Sequence, residues 1–312
     1  MEKQIKSLKI KIDRTDIDRI RIDKFIAEEL QLFTRSQIKN RKVRAILNGS
    51  PAKMSKRIST GDALEIRYSE PEPTKILPEP IELDIVYENN DIIVVNKPQG
   101  MVVHPANGNY SGTLVQALLY HCGELAESFK GELIRPGIIH RLDKDTSGLI
   151  IAAKHQAALE FVASQFRKKT VQKTYLAVVK GALKPSSGTV RHKIVRDNKN
   201  RKRFTCSMAN GKPAVTGYKT LKRYGNYSFV VLYPATGRTH QLRVHMLASG
   251  CPILGDSVYS QKDSLFPDAC LLLHAYTLKL TIPGEDKPRF FRAPLPERFK
   301  AVLRRLAQLE TV

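Results

Sequence analysis

Apolar positions along the chain change period several times, and each change marks a different element. Near the start, Leu8, Ile10 and Ile12 alternate with Lys9 and Lys11, the period-two pattern of a short edge strand or an extended arm. From Arg21 the period lengthens, with Ile22, Phe25, Ile26 and Leu30 at helical spacing. Thr34-Arg35-Ser36-Gln37 offers an N-cap for a second, basic helix through Ile38. Ala45-Ile46-Leu47 reads as a strand closed by an Asn48-Gly49 turn, and Gly61-Asp62 turns into a further strand. Periodicity stops between Ser69 and Pro80, where four prolines fall in twelve residues, so an extended linker is expected there.

Beyond the linker the apolar runs lengthen. Leu83–Glu88 and Ile92–Pro98, separated by Asn89-Asn90-Asp91, predict a hairpin. The run Leu149-Ile150-Ile151-Ala152-Ala153 is apolar on both strand faces and needs cover on both. Apolar residues at 158, 161, 162 and 166 predict an amphipathic helix over 154–169. Gln172–Val179 reads as a strand that places Tyr175 on the face of Lys173 and Ala177, residues 183–216 read as turn-rich, and Tyr227–Tyr233 reads as a strand. A helix is expected from an N-cap at Thr239 to a stop at Gly250; Leu271–Ala275 and a Phe299–Leu309 helix read as core completion.

Charge adds what patterning leaves out. The 312 residues carry a net charge of +22, which points to a polyanionic partner. Residues 1–70 hold 17 basic and 10 acidic side chains, residues 71–152 hold 6 and 11, and residues 153–312 hold 29 and 9. Between 167 and 223 there are 17 basic residues against the single acid Asp197, spread through strands and turns rather than along one face of an amphipathic helix. Nucleic acid is therefore the expected partner, and a membrane is not. The cluster from Arg196 to Arg203 is either a solvated loop or a contact to a ribose-phosphate backbone. Cys122, Cys206, Cys251 and Cys270 form no Cys-x-x-Cys pair, and no His-Glu-x-x-His spacing occurs, so neither a disulfide framework nor a metal is expected. With no leader-like or membrane-length apolar run, a cytoplasmic protein is expected.

Chemistry concentrates in one stretch. Two carboxylates, two cations and a histidine occupy His140-Arg141-Leu142-Asp143-Lys144-Asp145, followed by Thr146-Ser147-Gly148-Leu149 and the buried run. Loops anchored on rigid elements are where chemistry tends to sit, although on the residues alone a salt-bridged turn, with Arg141 and Lys144 neutralising Asp143 and Asp145, is the favoured reading. The stretch resembles the signature His-Arg-Leu-Asp-x-x-Thr-Ser-Gly-Leu of the RluA family of RNA pseudouridine synthases. Gly100-Met101-Val102-Val103-His104-Pro105, Lys173-Thr174-Tyr175-Leu176-Ala177-Val178-Val179 and the segment from Arg238 to Arg243 resemble further motifs of that family. The 83–119 segment is most similar to members acting on large-subunit ribosomal RNA. Separately, Arg21-Ile22-Asp23-Lys24, Thr34-Arg35-Ser36-Gln37-Ile38, Leu47-Asn48-Gly49 and Thr60-Gly61-Asp62 resemble the S4 RNA-binding module over about 19–68. Between Ile38 and Ala45 the chain departs from that module, which usually has a longer helix ending in glycine.

The resemblance implies an α+β fold: a catalytic domain on a mixed, largely antiparallel sheet at 81–312, preceded by an arm at 1–14, a small S4-like RNA-binding domain at 15–70 and a proline-rich linker at 71–80. It implies Asp143 as the catalytic aspartate, Arg243 as its partner and Tyr175 against the target base. Arg141 would hold the RNA while the base is out, with Arg238 and His240 as further positioning residues. His104 reads as structural, and Lys144 and Asp145 as loop scaffolding. In the S4-like part Arg35, Lys39, Arg41, Lys42 and Arg44 are the candidates for backbone phosphates, which give affinity without sequence choice. The implied function is isomerisation of uridine to pseudouridine in large-subunit ribosomal RNA or a pre-ribosomal particle, by a monomer, with no cofactor and no metal. The competing readings are a non-catalytic RNA-binding assembly protein, a synthase acting on transfer RNA, and a metal-dependent nuclease, for which the ligand spacing is missing.

Overall fold

The computed structural model describes residues 5–13, 19–33, 38, 43–69, 76–106, 108–123, 125–129 and 136–310. The chain folds as two compact units, Met1–Thr74 and Lys75–Val312.

In the first unit, β1 (Ile5–Lys11), β3 (Arg44–Leu47), β4 (Ser50–Ala52) and β6 (Ala63–Ser69) form a sheet in the order β1-β6-β3-β4, while β2 (Ile20–Arg21) pairs with β5 (Arg57–Ile58). The amino-terminal alternation thus builds an edge strand, Leu8 opposite Ile66 and Ile10 opposite Leu64. Asn48 and Gly49 both have positive φ, the conformation that lets a two-residue turn join β3 to β4. Where one α-helix was expected from Ile22, a single turn, α1 (Ile22–Lys24), passes into a π-helical segment, Phe25–Glu29. Ile22 and Ile26 still point inward, onto Ile58 and Ile66. Of the expected second helix only Ile38 lies among the described residues.

The second unit is built on a ten-stranded sheet. Its strands are β7 (Ile85–Glu88), β8 (Ile92–Lys97), β9 (Ser147–Ala153), β10 (Gln172–Lys180), β11 (Ser187–Arg196), β12 (Phe204–Ser207), β13 (Lys212–Tyr224), β14 (Tyr227–Pro234), β15 (Leu273–Leu280) and β16 (Arg289–Arg292). Their order is β12-β11-β13-β14-β10-β15-β9-β8-β7, with β16 beside β15. Every pairing is antiparallel except β15 with β9. The region expected to be turn-rich, 183–216, instead carries β11, β12 and the start of β13. Those strands are half exposed, so charged and apolar residues mix on them and no buried run announces them.

Every residue of β9 is buried, as its two-sided apolar pattern requires. The sheet is covered by α2 (Leu114–His121), α3 (Leu125–Ser128), α4 (Gln156–Lys168), α5 (Gln241–Ala248) and α6 (Glu297–Leu309). The end of the linker belongs to this unit, since Glu79 accepts from the Gly112 N–H and from the side chain of Gln116. The expected cap of α5 is not formed by Thr239. His240 holds the cap position in the left-handed conformation, and the Gln241 side chain accepts from the Arg238 N–H at 3.0 Å and the Thr236 hydroxyl at 2.7 Å. At the other end Gly250, with positive φ, stops the helix, and the Cys251 N–H reaches back to Met246. No described helix is long and apolar enough to cross a membrane.

Candidate active site

The loop ahead of β9 is fixed from below. Leu142 is buried in the core, which turns Arg141 and Asp143 the other way, and the Thr146 N–H closes a turn on the Asp143 carbonyl at 3.1 Å. Gly148 carries φ +110° and lies where an added Cβ would sit 2.2 Å from the Ala275 carbonyl oxygen, so only glycine lets β9 approach β15 here. His140 accepts from the Ile151 N–H at 3.1 Å and stacks on Phe166. Burial, with the Lys173 charge added, pulls its pKa to about 3, so it is a neutral structural ring.

Asp143 faces α5. Its Oδ2 lies 3.5 Å from Nη1 of Arg243 and 3.9 Å from Nε2 of His240. His240 at the cap position and Arg243 in the first turn of α5 both reach this one carboxylate. These residues line a cleft of about 610 Å³ together with Tyr175 on β10. Burial, with the Asp143 charge added, pushes the Tyr175 phenol well above its usual range. The cleft also brings in Arg141 and Arg238. The Arg238 guanidinium is tied to the Pro213 carbonyl at 3.1 Å. Six lining cations, Arg141, Arg167, Lys169, Lys173, Arg238 and Arg243, face the single lining acid Asp143. Such a wall concentrates anionic ligands. His104 does not line this cleft. Arg44 is exposed at the start of β3, while Arg35, Lys39, Arg41 and Lys42 lie outside the described residues.

Residues 91–248 match the family model for RNA pseudouridylate synthase. Over 287 residues the chain is 43% identical to the ribosomal large subunit pseudouridine synthase D of Borreliella burgdorferi, covering 90% of this chain and 87% of that relative. The chain belongs to the RNA pseudouridylate synthase family. A second relative, an uncharacterized RNA pseudouridine synthase of Bacillus subtilis, is 41% identical over 288 residues, or 92% of this chain and 94% of its own length. The solved structure of human RNA pseudouridylate synthase domain containing 4 superposes with a TM-score of 0.56 at 26% identity, over 72% of this chain and 92% of that one.

Three residues of the synthase that patterning does not single out complete the site. Asp256, with a fully buried side chain, receives both Nε and Nη2 of Arg243 at 2.8 Å, and the Val258 and Tyr259 N–H groups at 2.9 and 3.0 Å. Burial works against the Arg243 charge, but the hydrogen bonds and charge of Asp256, with Asp143 behind it, more than offset this and leave its pKa raised. Tyr259 contacts His240 through a 2.8 Å hydrogen bond. Lys97, fully buried, donates to the Pro98, Met101 and Lys144 carbonyls at 2.8, 2.9 and 3.1 Å, pinning the signature loop to the end of β8. Burial pulls the Lys97 pKa to about 7, against the charges of Asp145 and Asp143. A sequence signal existed for Asp256 alone. Gly255-Asp256 before Val258 and Tyr259 is a pattern in which an aspartate caps its own following N–H groups. Among the described residues one group, Glu88, His121 and Cys122, brings three potential metal-ligand atoms within 4.8 Å of one another. His121 and Lys154 already engage its carboxylate.

Proposed function

We propose that this synthase isomerises uridines of large-subunit ribosomal RNA, with Asp143 as the catalytic carboxylate and no cofactor. The observation that carries the assignment is the one-sided hold on Asp143. Both close contacts, from Arg243 and His240, reach Oδ2. Among the described residues no hydrogen bond reaches Oδ1, and Asp143 lines the cleft together with Tyr175. In the reaction the bond from ribose C1′ to uracil N1 breaks, the base turns, and C1′ joins C5. The C5 hydrogen leaves as a proton and N1 gains one, so atoms balance without water or a redox partner. A carboxylate oriented by a fixed guanidinium can attack or draw a proton. Tyr175 packs against the uracil. The target must leave its stack to reach a half-buried carboxylate, and Arg141, exposed at the rim, holds the RNA while it does.

The ribosomal substrate is supported by the name of the Borreliella relative, a ribosomal large subunit enzyme, and by the first unit, which we read as an S4-like RNA-binding module with Arg44 and Arg35, Lys39, Arg41 and Lys42 toward the phosphates. On this reading the enzyme works in the cytoplasm, as a monomer on ribosomal RNA or a pre-ribosomal particle. Purified protein incubated without metal on unmodified large-subunit ribosomal RNA and, in parallel, on unmodified transfer RNA tests the assignment by pseudouridine mapping. New sites in the ribosomal RNA are expected. Sites in transfer RNA alone would reassign the substrate, and salt-dependent binding to both without product would leave an assembly protein.

A further inference from the structure

Tyr259 belongs to no motif identified above, and it touches the one histidine that faces Asp143. Its phenol oxygen accepts the Phe204 N–H at 2.8 Å and lies 2.8 Å from Nδ1 of His240. The faces of its ring are occupied by the guanidinium groups of Arg203 at 5.3 Å and Arg243 at 5.1 Å, which can only donate. Among the described residues the phenol hydrogen has one acceptor in hydrogen-bond range, Nδ1. If Nδ1 instead carried the proton, the oxygen would receive two donors and its own buried hydrogen would have no partner. The far side of the imidazole leads to the same assignment. Nε2 points at Oδ2 of Asp143 from 3.9 Å, which attracts an N–H and repels a lone pair.

We propose that Tyr259 is a positioning residue that fixes His240 as the neutral Nε2–H tautomer, so that the ring offers Asp143 a donor without a second full positive charge. This deepens the role given to Asp143 above and rests on it. A neutral N–H facing Oδ2 from 3.9 Å and one guanidinium at 3.5 Å bias the orientation of the carboxylate without locking it; an imidazolium would bind it as a tight ion pair. The His240 conformation supports a fixed ring, since φ of 57° is unusual outside glycine and the edge of Phe204 packs against the imidazole, ring centroids 5.5 Å apart. Phe204 opens β12, so the basic loop between β11 and β12 is tied through Tyr259 to the carboxylate. The groups that face His240 are Asp143, Asp256, Arg243, Arg141 and Tyr259; burial lowers its pKa first, the two carboxylates raise it and the two arginines lower it again.

The test is heteronuclear NMR of the imidazole nitrogens in the full chain, with His240 assigned by comparison with His240→Gln. At neutral pH the wild-type protein should show Nε2 protonated and Nδ1 bare; an Nδ1–H tautomer or a doubly protonated ring overturns the proposal. In Tyr259→Phe the donor to Nδ1 is gone. His240 should then take up a proton at Nδ1, turnover at neutral pH should fall about tenfold, the worth of one hydrogen bond, and the acidic limb of the pH profile should move to higher pH. RNA affinity should hold. A variant that loses turnover with the His240 spectrum unchanged, or keeps the single Nε2–H form with full activity, overturns the assignment. The wild-type spectrum decides even if the variant fails to fold. Because it needs no turnover, it also separates this inference from the proposed reaction, which fails on its own if the wild-type protein makes no pseudouridine.

Discussion

Two loops, 139–146 and 254–260, each deliver one carboxylate to the same guanidinium, and they do so in opposite states. Asp256 is fully buried and spends both oxygens, on two 2.8 Å bonds from Arg243 and two backbone N–H groups. Asp143 is 18% exposed and meets Arg243 through one oxygen at 3.5 Å. A fully buried carboxylate with donors on both oxygens has nothing to offer a substrate, whereas a half-buried one held through a single oxygen does. On the proposed function, the difference separates the carboxylate that builds the site from the one that acts in it, a distinction that residue type alone does not make.

The comparison can be broken from either side. Asp256→Ala leaves Arg243 buried with its main partner gone and should cost about 3–5 kcal/mol of stability, read from the denaturant midpoint; an unchanged midpoint would remove the structural role. Gly148→Ala and Gly255→Ala should each cost at least about 1–3 kcal/mol from backbone strain alone. A Cβ at either position would meet a carbonyl oxygen, of Ala275 or Cys270, at 2.2 Å. If both variants melt like the wild-type protein, the loops are not held as described. His140, neutral and buried with its pKa near 3, makes loop 139–146 sensitive to acid. Its contribution is fully present above the ordinary histidine value of about 6.5 and is lost as the pH falls from there toward about 3, because only the unfolded chain takes up the proton. His140→Gln should flatten that part of the stability profile. The smallest effect is expected at Lys173, which lines the cleft with no carboxylate of the described residues in ion-pair range, and whose pKa burial lowers. Lys173→Met should reduce the slope of log affinity against log salt by about 0.7–0.9, one phosphate contact, and weaken the loss of RNA affinity seen as pH rises below the ordinary lysine value of about 10.4. An unchanged slope would take Lys173 off the RNA path.

What the sequence disclosed follows from how local each feature is. Strand β9 was legible because both of its faces are apolar, and the stop at Gly250 because the left-handed conformation after a helix favours glycine. The signature loop was legible by resemblance, since a salt-bridged turn would have carried the same charges. Strands β11 to β13 were hidden by their exposed, basic faces and by Pro213 and Gly217 within β13. Thr239 had the right chemistry for a cap but not the right backbone, because His240 holds the cap position with Gln241 supplying the acceptor. Asp256 and Tyr259 act on residues 13 and 19 positions away across a turn of the fold, and nothing in their immediate neighbours says so.

The most direct test measures single-turnover pseudouridine formation by Asp143→Asn and Asp256→Asn side by side on saturating ribosomal RNA, at a temperature where both are folded. Asp143→Asn keeps the shape and removes the charge. It should bind RNA as the wild-type protein does and form no product, while Asp256→Asn should form product slowly, with its stability reduced. Turnover by Asp143→Asn within tenfold of wild type would contradict the account.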